Sequence, residues 1–247
     1  MQAYAFTDVG RYRSINQDYI YSSTAPVGSL DNLFIVADGM GGHNAGDYAS
    51  RFAVENLVDF FGTKYPEKDI HGILKEGIRK MNRELYYKAS SDPSLFGMGS
   101  TLVVATVKGN VLYVANIGDS RLYLLRERLE QVTRDHSYVE ELVALGKMKR
   151  GSRDYMEKRN IITRAIGTDE TVDIDLFALK LKPGDYFLMC SDGLSNMVDE
   201  FEIEYIIRTE EDLKKKAQAL VEAANRGGGR DNISVILAEP QIREVAL

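Results

Sequence analysis

Two apolar runs of strand length, Leu33-Phe34-Ile35-Val36-Ala37 and Tyr186-Phe187-Leu188-Met189-Cys190, each lead into an aspartate-glycine pair, Asp38-Gly39 and Asp192-Gly193. A chain with two such strands must bury them in a sheet, and each then delivers a carboxylate to the sheet's rim. The glycines let the backbone turn tightly there or approach a charged group. Taken singly, either pair reads equally well as an ordinary turn.

The 247 residues, 44% of them hydrophobic, suffice for a sizeable core, and no linker-like stretch divides them, so one domain over 1–240 with a tail at 241–247 is expected. A net charge of −6 without a long basic run argues against a nucleic-acid surface. The apolar runs are too short for a membrane span and no signal segment opens the chain, so a cytoplasmic monomer without membrane contact is expected. Cys190 is the single cysteine and excludes an internal disulfide; with only His43, His71 and His136, scattered, a zinc site is not expected.

Alternation at residues 3–8 and 19–21 predicts two strands, with Arg13 and Asp18 in the loop between them and at its end. That pair reads as a cation placed to grip an oxyanion or as an incidental surface pair. Helical spacing follows Asp38-Gly39-Met40-Gly41-Gly42-His43, through Tyr48, Phe52, Leu57 and Phe61, and again over 70–89. Strand, glycine loop and helix suggest a dinucleotide fold, but the third glycine of that fingerprint would fall on Asn44, and no phosphate-binding Gly-Lys-Ser/Thr occurs.

Strands over 101–107, 111–116 and 121–126, joined by two short turns, predict an antiparallel meander, with Asp119 in the second turn. A short helix over 139–145 ends at Gly146, and the charged stretch 147–160 reads as a mobile surface loop or as a flap beside a site. Strand character returns over 161–167, 172–181 and 186–190; two helices follow over 200–208 and 212–225, then a last strand over 233–237 behind Asp231.

Asp18, Asp38, Asp119, Asp192 and Asp231 thus all fall at strand ends or adjacent turns, with no histidine or cysteine ligand set beside them. Oxygen-only ligands suit hard cations such as magnesium and manganese, and carboxylates gathered without one would repel each other. Spacing alone leaves open whether they converge.

Six segments, in order, carry a resemblance: Asp8-x-Gly10-x-x-Arg13-x-x-Asn16-Gln17-Asp18, Asp38-Gly39-Met40-Gly41-Gly42-His43, Gly99-Ser100-Thr101, Gly118-Asp119-Ser120-Arg121, Ser191-Asp192-Gly193 and Asp231-Asn232-x-Ser234. Over essentially its whole length the chain resembles the metal-dependent protein serine/threonine phosphatases of type 2C, in their compact bacterial form. The resemblance implies an α+β fold, a four-layer αββα sandwich of two antiparallel sheets flanked by helices. It implies two Mn2+ or Mg2+ ions, bridged by Asp38, with Asp18 and the Gly39 carbonyl on one side and Asp192 and Asp231 on the other. Asp119, with Asp192, matches a third-ion site; Arg13 falls where substrate phosphate binds, and residues from about 137 to 160 correspond to the flap.

The implied chemistry is in-line attack on phosphorus by a hydroxide held between two metals about 3.5–4 Å apart, with Arg13 steadying the phosphoryl oxygens. The leaving alkoxide needs a proton. Animal members of the family carry a histidine directly after the Asp-Gly, where this chain has Met40, so His43 is the candidate acid, with a structural role in the turn as its alternative. Cysteine-dependent phosphatase chemistry is excluded, because position 196, six residues after Cys190, is Asn196 rather than arginine. Phosphoproteins of a cognate serine/threonine kinase are the implied substrates. The alternatives are a catalytically silent phosphoprotein-binding regulator of the same fold and a hydrolase of small phosphate esters.

Overall fold

A computed structural model describes residues 1–41, 45–63 and 69–242. Its elements are β1 (Gln2–Asp8), β2 (Asp18–Ser23), β3 (Leu33–Met40), α1 (Ala45–Gly62), α2 (Ile70–Ser91), β4 (Gly99–Ser100), β5 (Leu102–Lys108), β6 (Val111–Ile117), β7 (Arg121–Leu125) and β8 (Leu129–Gln131). They continue with α3 (Tyr138–Ala144), α4 (Arg153–Lys158), β9 (Asp175–Lys180), β10 (Tyr186–Cys190), α5 (Asp192–Ser195), α6 (Glu200–Thr209), α7 (Leu213–Arg226) and β11 (Ile233–Glu239). Among the described residues no helix is long and apolar enough to cross a membrane.

The strands form two antiparallel sheets, ordered β1-β11-β10-β7-β8 and β2-β3-β5-β6-β9, with β4 on the end of β3. Strand alternation builds the layers. Phe34 and Val36 of β3 face Phe187 and Met189 of β10 and Ile236 of β11 across the space between the sheets. Leu33, Ile35 and Ala37 face the other way, into a core closed by α1 and α2. Leu188 and Cys190, with Val235 and Leu237, do the same against α6 and α7. Apolar runs without alternation are therefore strands covered on both faces, and four layers result. At the centre Phe34 and Phe187 meet edge to face, with centroids 5.4 Å apart.

Local capping explains where the helices begin. Asp69, Ser137, Ser152, Asp199 and Asp212 each accept a backbone N–H from the first turn of the helix that follows. Within α2, Gly77 lets the rings of Phe60 and Phe61 lie where a side chain would stand, which seats α2 on α1.

Several expectations need correction. The predicted meander breaks after its second strand: β5 and β6 pair, but β7 crosses to the other sheet and pairs with β10 and β8. Gly118 makes the crossing, at φ +97° and packed so closely on Thr101 that a Cβ would lie 2.7 Å from that side chain. β3 does not stop at Asp38 but runs on to Met40, with Gly39 opposite Ser100. The stretch 147–160 holds α4, and 161–167 makes only isolated bridges, Ser137 to Ile162 and Ser100 to Ile166. β8 and α5 occupy stretches to which the sequence pattern assigns no element. At the end, β11 reaches Glu239 and Ile242 packs against the layer between the sheets, while 243–247 lie outside the described residues.

Candidate active site

The antiparallel pairing gathers the five aspartates along one rim. Asp18 opens β2 directly opposite Asp38 of β3, Asp192 follows the end of β10, and Asp231 precedes the start of β11. Asp119 sits in the crossing from β6 to β7. Each reaches the rim because its strand starts or stops there, which is a consequence of register rather than of sequence proximity.

Burial sets the electrostatics. Asp18 is buried, and desolvation pushes its carboxyl up to about 7, with the charges of Asp192 and Asp231 adding and a hydrogen bond from Ser191 opposing. Desolvation also raises Asp38 well above the usual carboxylate range, helped by Asp18, Asp192, Asp119 and Asp231. Asp119 rises to about 8 through burial and the charge of Asp192, and Asp192 to about 6 through burial and Asp231, with Arg159, Arg121 and Arg13 pulling it back. Mutual repulsion of this kind means that the carboxylates share one charged space.

Their surroundings leave acceptor oxygens uncommitted. Ser191 Oγ donates to Asp18 Oδ2 at 2.6 Å, and Asn196 Nδ2 to Asp192 Oδ2 at 2.9 Å. The second oxygens, Asp18 Oδ1 and Asp192 Oδ1, are two of the four buried side-chain polar atoms without a partner among the described residues. Such orphans are costly unless something else satisfies them. The Gly39 carbonyl lies close against the start of α1, where a Cβ at Gly46 would stand 2.8 Å from it. Among the described residues no three aspartate, glutamate, histidine or cysteine side chains close into a finished cage. Hard divalent cations tolerate this, since they complete their coordination with water. Oxygen-only donors, orphaned carboxylate oxygens and raised carboxyl pKa values together fit divalent cations.

Several neighbours hold this rim in place, and sequence reasoning gave them no role although they lie within the quoted motifs. Thr101 Oγ1 accepts from the Asp38 amide at 3.0 Å and pairs with Ser120 Oγ, while Ser100 Oγ donates to the Asp38 carbonyl. Asn232 Oδ1 accepts from the Gln17 amide, and its Nδ2 donates to the carbonyls of Val9 and Ile15. One buried side chain thus pins both ends of the loop that carries Arg13. Arg13 reaches back to Asp231, Nη2 to Oδ2 2.8 Å, half exposed and so free to reorganise. Serine and asparagine inside a motif are the available signal for such supports, but their partners lie far away in sequence.

Beside the rim, a cavity of about 580 Å3 runs from Asp119 and Asp192 between α4 and the start of α6. Arg121 lines it, locked by Asp135 and the Tyr123 hydroxyl. Arg150 on the opposite wall is paired with Glu140.

Of the remaining candidates, His43 lies outside the described residues. His136 is buried, its Nδ1 accepts from the Gly118 amide and its Nε2 faces Asp175 at 3.2 Å, so it braces the crossing that carries Asp119. Burial lowers its pKa. Cys190 is buried with its thiol pushed up to about 12, an inert strand residue.

Known proteins share this architecture. The protein phosphatase 2C family profile matches residues 11–237. The serine/threonine phosphatase stp of Listeria monocytogenes is 39% identical over 250 residues, covering 99% of this chain and 98% of that protein. The S. agalactiae serine/threonine phosphatase structure superposes with a TM-score of 0.90 at 35% identity, over 98% of this chain and 99% of that one. The catalytic domain of the serine/threonine protein phosphatase PstP, solved with 2 manganese ions, gives 0.84 at 34% identity, over 96% and 97%. The chain belongs to the protein phosphatase 2C family, and with it to the enzymes of the protein phosphatase class.

Proposed function

We propose that this protein is a metal-dependent serine/threonine phosphatase that hydrolyses phosphoserine and phosphothreonine in proteins, with the substrates of a cognate kinase as its natural targets. The observation that carries this reading is the shared rim of Asp18, Asp38, Asp119, Asp192 and, at its more exposed edge, Asp231, with orphaned oxygens on Asp18 and Asp192. Asp38 with Asp18 and the Gly39 carbonyl would hold one ion, Asp38 with Asp192 and Asp231 a second, and Asp119 with Asp192 a third. Bound there, Mn2+ or Mg2+ supplies Lewis acidity that makes water a competent nucleophile at neutral pH.

The chain's own residues do the rest. Arg13 exchanges its contact with Asp231 for the phosphoryl oxygens and orients the ester, which is most of what phosphoryl transfer asks of a side chain. Ser191 and Asn196 each occupy one oxygen of a carboxylate and so aim the other. Residues 137–160 serve as the flap over the cleft. Met40 holds no proton to give, and His136 is committed to Gly118 and Asp175, so the donor to the leaving alkoxide is either His43 or water.

The test is hydrolysis of a chromogenic aryl phosphate with manganese, magnesium or chelator, in the wild type and in Asp192→Ala. Chelation should abolish turnover, and the substitution should lower it by at least roughly a hundredfold. Activity that survives both removes the metal reading.

A further inference from the structure

We propose that the cleft between residues 137–160 and α6 is the docking groove for the polypeptide flanking the phosphoresidue, and that Phe201 is a specificity-determining residue that receives an apolar side chain of the substrate. The inference rests on the phosphatase reading above and names what its substrate must carry.

Phe201 is 88% exposed, and it lines the same cavity whose inner end is formed by Asp119 and Asp192. Nothing in the packing of α6 accounts for it. The helix buries Ile203, Ile206 and Ile207 on its core face, while Phe201 and Tyr205, four residues apart, share the opposite face. A large aromatic ring held in water on a cleft wall is a feature of binding surfaces. The cavity is also far larger than a phosphoryl group needs, and it is continuous with the reaction centre. A phosphoserine placed at Asp192 must therefore run its flanking chain along this cleft or away from it.

Charge gives the groove little preference. Of its three arginines, Arg121 is matched by Asp135 and Arg150 by Glu140, while Arg159 donates to the Asn196 carbonyl, and Asp199 and Glu200 in the same lining offset their charge. Its Asp119 and Asp192 end would meet a phosphoester through cations bound there, and Phe201 adds the large exposed apolar surface of the lining. The occupant is accordingly an extended phosphopeptide with an aliphatic or aromatic residue at one fixed distance from the phosphoserine.

The experiment compares kcat/KM in manganese for an aryl phosphate and for a panel of phosphoserine peptides in which one leucine is moved along an otherwise polar sequence. Wild type should favour one leucine position by roughly tenfold. In Phe201→Ser that preference should vanish, and the ratio of peptide to aryl phosphate kcat/KM should fall by about the same factor. The ring is in solvent, so its removal takes no core contact away. A ratio and preference equal to wild type overturn the groove, as does a variant whose only change is in sedimentation, which would assign the face to contact between copies. A wild type that turns over the aryl phosphate but no peptide overturns the protein-phosphatase reading itself, an outcome read without the Phe201 variant.

Discussion

Arg13 shows how much one side chain depends on distant residues. Its guanidinium stands half exposed against Asp231, and its pKa is raised, first by that hydrogen bond. The loop that presents it is pinned by Asn232, more than 200 residues away in sequence. Arg13→Ala should raise KM for phosphate esters roughly tenfold, the loss expected of one charge-assisted contact to an anion, with a melting temperature close to wild type. Unchanged steady-state kinetics would take Arg13 out of the site. At this scale Asp18, Asp38, Asp119, Asp192 and Asp231 were legible, because carboxylates at strand ends stand out. Ser191, Thr101 and Asn232 were not given roles, because a hydroxyl or amide says nothing until its partner is known.

The element that matters most to the site is the crossing from β6 to β7. Three strands and two short turns predict a meander, since short turns usually join hydrogen-bonded neighbours. The alternation in β7 does not say which sheet the strand joins. Gly118 decides it through a backbone conformation disfavoured for L side chains and a close approach to Thr101. Gly118→Ala should cost about 2–4 kcal/mol, from positive φ and a Cβ forced against Thr101, measurable by urea denaturation. A loss below about 0.5 kcal/mol, the range of surface substitutions, would show that the crossing tolerates a side chain. No periodic pattern marks α4 or α5 for a related reason: helices this short owe their existence to packed neighbours and, in α4, to the Ser152 cap.

For the molecule as a whole, the acidic rim has a thermodynamic consequence. The folded state raises the carboxyls of Asp18, Asp38, Asp119 and Asp192, so between pH 4 and about 8 it binds more protons than the unfolded chain. Stability of the metal-free protein must then fall as pH rises through that window. In chelator, melting temperature should decline from pH 5 to pH 8, and Mn2+ should restore it most strongly at the upper end, where proton competition is least. A metal-free melting temperature that climbs over this range would mean that the carboxylates are not crowded.

The two apolar strands with their Asp-Gly ends, the helix patterns and the order of six motif segments are properties of the sequence by itself. They follow from hydrophobic periodicity and local backbone chemistry, which act over a few residues. Tertiary structure decided which sheet β7 joins, that β3 continues past Asp38, and that five carboxylates far apart in the chain share one rim. Those outcomes depend on strand register and on desolvation, and both exist only once distant segments have packed together.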